Sequence, residues 1–318
     1  MGAYVARRLL AMIPTLLLAS IIVFVTIRLI PGDVIDLMLS QNDVAADKMS
    51  RDQVVAALGL DRPMHTQYLH WLGAITLHGD LGRSLWQNTP VTELLAARLP
   101  VTFELSLLAL IVALAIALPI GTYSALRQDT RGDYIARSFS FLLLAVPSFW
   151  LGTMVMVFPS IWWGWSPEVN YVRFTDDPWQ NLKQMALPAI VLGAGLSAIT
   201  MRLMRTMMLE VLRQDYIRTA WAKGLPERLV VMRHALRNAL VPVITLIGLQ
   251  VPFLIGGGVI IETIFVIPGM GLLLLDAVNA RDYPIITGVF LVVGVVVTLV
   301  NLLVDLSYGV LDPKVRYR

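Results

Sequence analysis

The sequence of 318 residues has no cysteine and few charged residues. Without cysteine the chain can form neither disulfides nor thiolate metal sites, and it cannot use a cysteine nucleophile. Charged residues make up 15% of the chain and hydrophobic residues 57%. In a soluble protein about a quarter of the residues are charged, so this composition predicts a membrane protein.

Motifs for catalysis and nucleotide binding are also missing. No G-x-x-x-x-G-K-[ST] segment occurs, so the sequence contains no P-loop for nucleotide phosphates. All four histidines lie outside the long apolar stretches, which argues against an intramembrane serine–histidine protease. The net charge of +3 is too small to indicate a nucleic-acid partner. We therefore expect no enzyme activity, no catalytic residues and no metal site.

Six stretches without Asp, Glu, Lys or Arg are long enough to cross a bilayer as helices, which takes roughly 17–25 residues. They are residues 9–27, 105–126, 138–167, 184–201, 238–261 and 283–304. A seventh run, 263–275, is too short and contains proline and glycine, so it is expected to be interfacial or re-entrant. We expect kinks at the prolines of the third and fifth stretches, Pro147, Pro159, Pro242 and Pro252. The sequence thus predicts an all-α polytopic protein with six transmembrane helices, the first of them retained.

The distribution of Lys and Arg predicts the orientation, because these residues accumulate on the cytoplasmic side. With both termini and the loops 127–137 and 202–237 inside, that side holds 16 Lys or Arg and 7 Asp or Glu, and the outside holds 9 and 15. Both termini are therefore expected to be cytoplasmic. The predicted parts are an N-terminus with the first helix (1–30), an external segment (31–104), a transmembrane core with a cytoplasmic loop at about 205–237 (105–308), and a cytoplasmic tail (309–318).

The second half of this cytoplasmic loop is amphipathic. Its apolar residues have helical spacing and predict one apolar stripe, formed by Leu225, Leu229, Met232, Leu236 and Val243. Such a helix could lie flat on anionic lipid. However, the preceding segment DYIRTAWAKGLP predicts a short helix that breaks at Gly224 and restarts with Pro226 in its first turn. This helix–Gly–helix elbow favours insertion into a partner protein.

Residues 215–244 resemble the cytoplasmic EAA loop of ABC-importer permeases, in its peptide-type version. Against the general pattern E-A-A-x3-G-x9-I-x-L-P, three residues are in register: Ala220, Gly224 and Leu236. The pattern's Glu, first Ala, Ile and Pro are replaced by Arg218, Thr219, His234 and Arg237. Arg218 cannot supply the carboxylate with which other subfamilies make an ion pair to the ATPase.

The resemblance covers nearly the whole chain. The segments that carry it are RLIPGD (28–33), LGLDRPMHTQYLHWL (58–72), GDLGRS (79–84), RLPVTFELSLLAL (98–110), GGVIIETIFVIPGMG (257–271), ARDYPIITG (280–288) and YGVLDPKVRY (308–317). In order and in content they are similar to the B-type permease subunit of dipeptide, oligopeptide and nickel ABC importers. The resemblance implies a type I ABC-importer permease fold in the bacterial inner membrane.

The family resemblance also implies partners and a coupling site. The expected partners are a second homologous permease, two ABC ATPase subunits, a solute-binding protein and membrane lipid. The chain itself is expected to bind no cofactor, because ATP and Mg²⁺ act at the ATPases. The residues expected to couple it to them are Arg218, Thr219, Ala220, Lys223, Gly224, Leu225, Pro226 and Arg228.

A candidate outer gate lies at the end of the fifth stretch, at Gly256, Gly257, Gly258 and Glu262. The glycines predict either close helix packing or a flexible gate on the path. For Glu262 we expect either a solvated interface carboxylate or an ion pair with the second permease or the binding protein. Two other functions stay open at this point, an ion-driven secondary transporter and a membrane-embedded enzyme. The cargo is a dipeptide, a longer peptide, a nickel chelate, glutathione or a sugar.

Overall fold

The computed structural model describes residues 2–29, 62–165 and 170–311. The segments 30–61, 166–169 and 312–318 lie outside the described residues. They include the first part of the predicted external segment and most of the predicted C-terminal tail.

The described chain is almost entirely helical, as the sequence predicts. The helices are α1 (Gly2–Leu29), α2 (Met64–His78), α3 (Val91–Leu126), α4 (Arg131–Ala145), α5 (Ser148–Trp163), α6 (Pro178–Leu212), α7 (Asp215–Ala222), α8 (Leu236–Ile264), α9 (Met270–Ala280) and α10 (Tyr283–Leu311). A helical turn, Glu227–Leu229, and a π-helical segment, Val230–Ala235, lead directly into α8. Arg83 and Pro90 form an isolated antiparallel bridge.

Among the residues that the structure describes, five helices are long and apolar enough to cross a membrane, and the count is six if a bent pair forms one span. The five are α1, α3, α6, α8 with the turn before it, and α10; the bent pair is α4 and α5. The predicted number of transmembrane helices is thus confirmed.

The third predicted span differs from the structure. It is not one helix over 138–167, because α4 and α5 meet at an angle of 89°. The break falls at Val146, which is extended at φ −90° and ψ 116°, and at Pro147, which begins the next helix. A residue before proline avoids the helical conformation and proline has no N–H to donate, so the helix ends there. The other three prolines expected to kink, Pro159, Pro242 and Pro252, lie inside the continuous helices α5 and α8.

The chain forms two compact units. One holds Leu99–Leu272 with the chain ends, and the other holds Arg7–Arg98 with Leu273–Thr298. Each has its own packing.

In the first unit, α3 and α6 approach closely along small residues. Alanine or glycine recurs every four residues on the buried side of α3, at Ala109, Ala113, Ala117, Gly121 and Ala125. A Cβ on Gly193 of α6 would lie 2.4 Å from the backbone oxygen of Ala109, so glycine is required at this contact. Small residues let helix backbones approach in a membrane, where dispersion contacts drive helix packing.

In the second unit, α1 packs on α2 through aromatic side chains. Phe24 is 1% exposed, and its ring centroid lies 5.3 Å from that of Tyr68 and 5.5 Å from that of Trp71. The hydroxyl groups of Ser20 and Tyr68 share a hydrogen bond of 2.9 Å. Asp282, which precedes α10, is buried and accepts hydrogen bonds from the Ser84 hydroxyl (2.6 Å) and the Leu85 N–H (3.1 Å). These contacts fix the loop after α2 to the start of α10.

Candidate functional site

The elbow (residues 215–229) has the helix–Gly–helix form that the sequence predicts. Helix α7 ends at Ala222, and Gly224 has a φ of +76°, in the left-handed region that favours glycine. The N–H of Gly224 donates to the Trp221 carbonyl (2.9 Å) and the N–H of Leu225 to the Ala220 carbonyl (3.4 Å). Pro226 immediately precedes the next helical turn rather than lying within it.

One side of the elbow is anchored in the first unit. Ile217 is fully buried and Ala220 is 7% exposed. They pack in one apolar cluster with residues of α6 and of the segment before α8, including Met204, Met208 and Val230. The elbow is therefore held by core packing and is not a free loop.

The other side of the elbow is exposed. Six of the eight predicted coupling residues lie there, Arg218, Thr219, Lys223, Gly224, Pro226 and Arg228. Leu225 is half-buried, and Ala220 belongs to the anchored side. A Cβ on Gly224 would meet nothing within 4 Å, so this position is open to a partner.

Two large side chains on the exposed side were not singled out from the sequence. Tyr216 and Trp221 are 44% and 43% exposed. Exposed aromatic side chains next to basic residues are typical of protein interfaces. Helical spacing alone could not have identified them, because Tyr216 lies four residues from the buried Ala220 and Trp221 four residues from the buried Ile217.

The apolar stripe predicted for the segment before α8 is wrong in part. Leu229 and Met232 are exposed, whereas Val231, Ala235 and Val243 are buried. The reason is the π-helical segment Val230–Ala235, which has more residues per turn than an α-helix and shifts the register of the buried face.

Glu262 is not the solvated or intermolecular carboxylate that we expected. It is fully buried, and the hydroxyl of Thr102 donates to its Oε1 at 2.6 Å. The backbone N–H groups of Gly271 and Leu272 donate to its Oε2 at 2.7 and 3.1 Å. The N–H of Met270 donates to the Thr102 hydroxyl at 2.8 Å. Glu262 and Thr102 together cap the N-terminus of α9, where unpaired N–H groups and the helix dipole favour a carboxylate.

The glycines of the candidate gate lie in the last turns of α8. Gly256 is exposed, and a Cβ there would meet nothing within 4 Å. Gly258 is buried, and a Cβ there would lie 3.9 Å from Glu262 Oε1. Close backbone packing is required instead at Gly271, where a Cβ would lie 2.5 Å from Val259 Cα.

A buried ion pair at the start of α4 was missed by sequence reasoning. Asp133 is fully buried and accepts hydrogen bonds from Arg205 Nε (2.9 Å) and Nη2 (2.7 Å), and it is also paired with the Ser124 hydroxyl. Its position in the first turn of α4, outside the uncharged stretches, gave no sign of burial. The ion pair joins the ends of three helices, α3, α4 and α6.

A second polar cluster joins α3 to the loop before α6. The hydroxyl of Tyr171 lies 3.3 Å from Glu104 Oε2, and Asn181 Nδ2 donates to the Val172 carbonyl at 3.0 Å. Burial, reinforced by the Glu104 carboxylate, raises the pKa of Tyr171 to about 12. The phenol therefore stays protonated near neutral pH and can donate to Glu104.

Two family models match the chain along its length. The N-terminal model of the membrane components of binding-protein-dependent transport systems matches residues 1–106. The model described as "Binding-protein-dependent transport system inner membrane component" matches residues 117–317. The chain belongs to this family of inner-membrane components. It is thus a multi-pass protein of the inner membrane and the membrane component of a binding-protein-dependent transport system.

Curated relatives of this family member match end to end. It is 39% identical over 338 residues to the dipeptide transport system permease protein DppB of Escherichia coli, with 99% of each chain covered. It is 42% identical over 320 residues to the oligopeptide transport system permease protein AppB of Bacillus subtilis, with 100% of each covered. A putative peptide permease protein of Brucella ovis is 42% identical over 317 residues and 98% of each chain.

A solved structure has the same fold. The crystal structure of an amino acid ABC transporter with histidines matches this permease-family member with a TM-score of 0.50 and 13% sequence identity. The match covers 68% of this chain and 92% of that one. The described helices therefore adopt an ABC-importer permease fold.

Proposed function

We propose that this chain is the permease subunit of an ATP-driven importer of peptides. In this proposal a second, homologous permease completes the translocation path, two separate ATPase subunits bind the elbow, and a solute-binding protein delivers the cargo. ATP and Mg²⁺ act only at the ATPases, so the chain has no catalytic activity of its own.

The observation that carries the proposal is the two-sided elbow. Ile217 and Ala220 tie it to the core of the first unit, while Lys223, Gly224 and Arg228 face outward. A segment built in this way can transmit a movement of a docked partner to the transmembrane helices, because it moves together with the helices that anchor it. A helix that lies on lipid turns its apolar face outward, whereas the apolar residues Ile217, Ala220, Val230 and Val231 are turned inward here. The large apolar side chains that stay exposed, Trp221, Leu229 and Met232, lie among basic residues.

Peptides are favoured among the cargoes by the names of the relatives. DppB, AppB and the Brucella ovis protein are named for dipeptide, oligopeptide and peptide transport, and all three match over nearly their whole length. A titration of the system's solute-binding protein with dipeptides, longer peptides, glutathione and nickel chelates tests this part. Tight binding of a non-peptide alone would contradict it.

Crosslinking from a single introduced cysteine tests the coupling part, because the chain has no other cysteine. Lys223→Cys is exposed on the elbow, and we expect a photoactivatable maleimide at this position to capture an ATPase subunit in the assembled complex. Thr175→Cys is the matched control: it is also exposed but precedes α6, at the opposite end of that helix from the elbow. Capture from position 175 and not from 223 would contradict the proposal. Ala220 is unsuitable for the probe because it is buried.

A further inference from the structure

The antiparallel register of α4 and α6 places two arginines at one level. Arg205 binds Asp133, and the Ser140 hydroxyl donates to the Ala198 carbonyl at 3.1 Å. Asp133 and Ser140 are seven residues apart on α4, and their partners Arg205 and Ala198 are seven residues apart on α6 in the opposite direction. The two helices are therefore antiparallel and keep the same register between these contacts. In this register Arg137 and Arg202 lie within one residue of each other in depth. Arg202 reaches the face of α4 that carries Arg137, since its guanidinium lies over Phe141, four residues after Arg137. We call the two exposed arginines and the surface around them the α4/α6 seam.

The two arginines of the seam differ from Arg205 in their ion pairing. Arg205 is paired with the buried Asp133, but no salt bridge to Arg137 or Arg202 is found among the residues that the structure describes. Both are exposed. A pair of unneutralised guanidinium groups at one depth favours a ligand with negative charge.

Each guanidinium rests over an exposed aromatic ring. Arg137 Cζ lies 5.7 Å from the ring centroid of Tyr134, and Arg202 Cζ lies 5.1 Å from that of Phe141. The rings are 55% and 53% exposed. Such cation–π contacts hold the guanidinium by its face and leave the N–H groups at its edge free to bind oxygen atoms.

The outward face of α4 beyond the arginines is apolar. Phe141, Leu142 and Leu144 are 53%, 59% and 44% exposed, although small and polar residues of the same helix face α6. The seam therefore combines paired positive charges with a neighbouring apolar face, and acyl chains can cover that face. A soluble anion would use only the charges.

We propose that the α4/α6 seam binds an anionic phospholipid, with Arg137 and Arg202 on the headgroup phosphate and the acyl chains along α4. Arginine matches the geometry of phosphate oxygens and can reach the headgroup level while its stem lies on apolar surface. Basic sites between transmembrane helices are known to bind such headgroups. The lipid would brace the bent pair α4 and α5 against α6 in a way that a neutral lipid cannot.

Fluorescence quenching by brominated lipids tests the proposal on the assembled transporter. Ser138→Cys is exposed beside Arg137 and carries the fluorophore. The complex is placed in vesicles of phosphatidylcholine and phosphatidylglycerol, with bromine on one lipid or the other. Since an arginine near an anionic surface contributes about a fivefold preference, phosphatidylglycerol should quench several times more strongly than phosphatidylcholine at equal mole fraction.

The double variant Arg137→Gln, Arg202→Gln should abolish this preference. The matched control Arg173→Gln, Lys183→Gln removes the same charge from exposed positions around the start of α6 and should retain it. Equal quenching by the two lipids in the unmodified seam would overturn the proposal, as would a preference that survives in the double variant. Quenching by neither lipid would also overturn it, because a protein subunit would then cover the seam.

Discussion

Both carboxylate oxygens of Glu262 are engaged, Oε1 by the Thr102 hydroxyl and Oε2 by two backbone N–H groups of α9. Space around the carboxylate is equally constrained, because a Cβ on Gly269 would lie 2.2 Å from Glu262 Oε1. Glu262 therefore serves first of all as part of the cap of α9. If the glycines act as a gate, the backbone has to move while the Glu262 carboxylate stays bound to the start of α9.

Replacement of this carboxylate should destabilise the fold. Glu262→Ala leaves buried N–H groups of α9 without an acceptor, and each costs about 1–3 kcal/mol of unfolding free energy. We expect a clearly lower midpoint for thermal unfolding in detergent. Glu210→Ala removes an exposed carboxylate from α6 and should leave the midpoint unchanged. Equal midpoints for the two variants would show that the cap contributes nothing.

The buried ion pair is the second side-chain contact on which the first unit depends. Arg205→Gln leaves the fully buried Asp133 without its cation, and loss of one partner of such a pair costs about 3–5 kcal/mol. Arg213→Gln, at the end of the same helix, changes an exposed arginine and is the control. We expect the yield of folded protein and the unfolding midpoint to fall only for Arg205→Gln. A similar loss in both would contradict the importance of this pair.

At the scale of elements, the π-helical segment before α8 decides which residues face the core. Adjacent positions test it: Val231 is 5% exposed and Met232 is 57% exposed. Val231→Asp buries an unpaired charge and should prevent stable folding. Met232→Asp should change the free energy of unfolding by no more than about 0.5 kcal/mol. The thermal unfolding of the two variants should therefore differ strongly. If Met232→Asp were the more destabilised variant, the buried face would instead follow the apolar stripe predicted for a regular α-helix.

The helices and the elbow could be predicted from the sequence because their signals are local. Runs without charge mark the spans, and Gly224 next to Pro226 marks the break after α7. The bend between α4 and α5 also had a local signal in Pro147, but its angle depends on how two helices pack, and no sequence pattern gives that.

The environment of buried polar residues could not be predicted, because it arises from contacts between distant parts of the chain. Glu262 is separated from Thr102 by 160 residues, and Asp133 from Arg205 by 72. Hydropathy places such residues at the ends of spans and hence in water. Only the fold reveals that each has a complete set of partners within the chain.

At the scale of the whole molecule, the charge distribution predicts which loops share a side of the membrane. Single cysteines test this in the cysteine-free chain. Thr175→Cys should react with a membrane-impermeant maleimide in intact cells, whereas Lys223→Cys should react only after the membrane is opened. Labelling of both positions from the same side would exclude the predicted orientation, since they lie at opposite ends of α6.

The most direct test of the coupling role uses two glycines with the same local structure. Gly224 and Gly164 each follow a helix with φ of +76° and +62°, and a Cβ on either would meet nothing within 4 Å. Gly224→Trp and Gly164→Trp therefore impose equal backbone strain, and only the first obstructs the elbow. In the reconstituted transporter, we predict that Gly224→Trp loses substrate-stimulated ATP hydrolysis while Gly164→Trp retains it. Normal stimulation in Gly224→Trp would contradict the coupling role of the elbow.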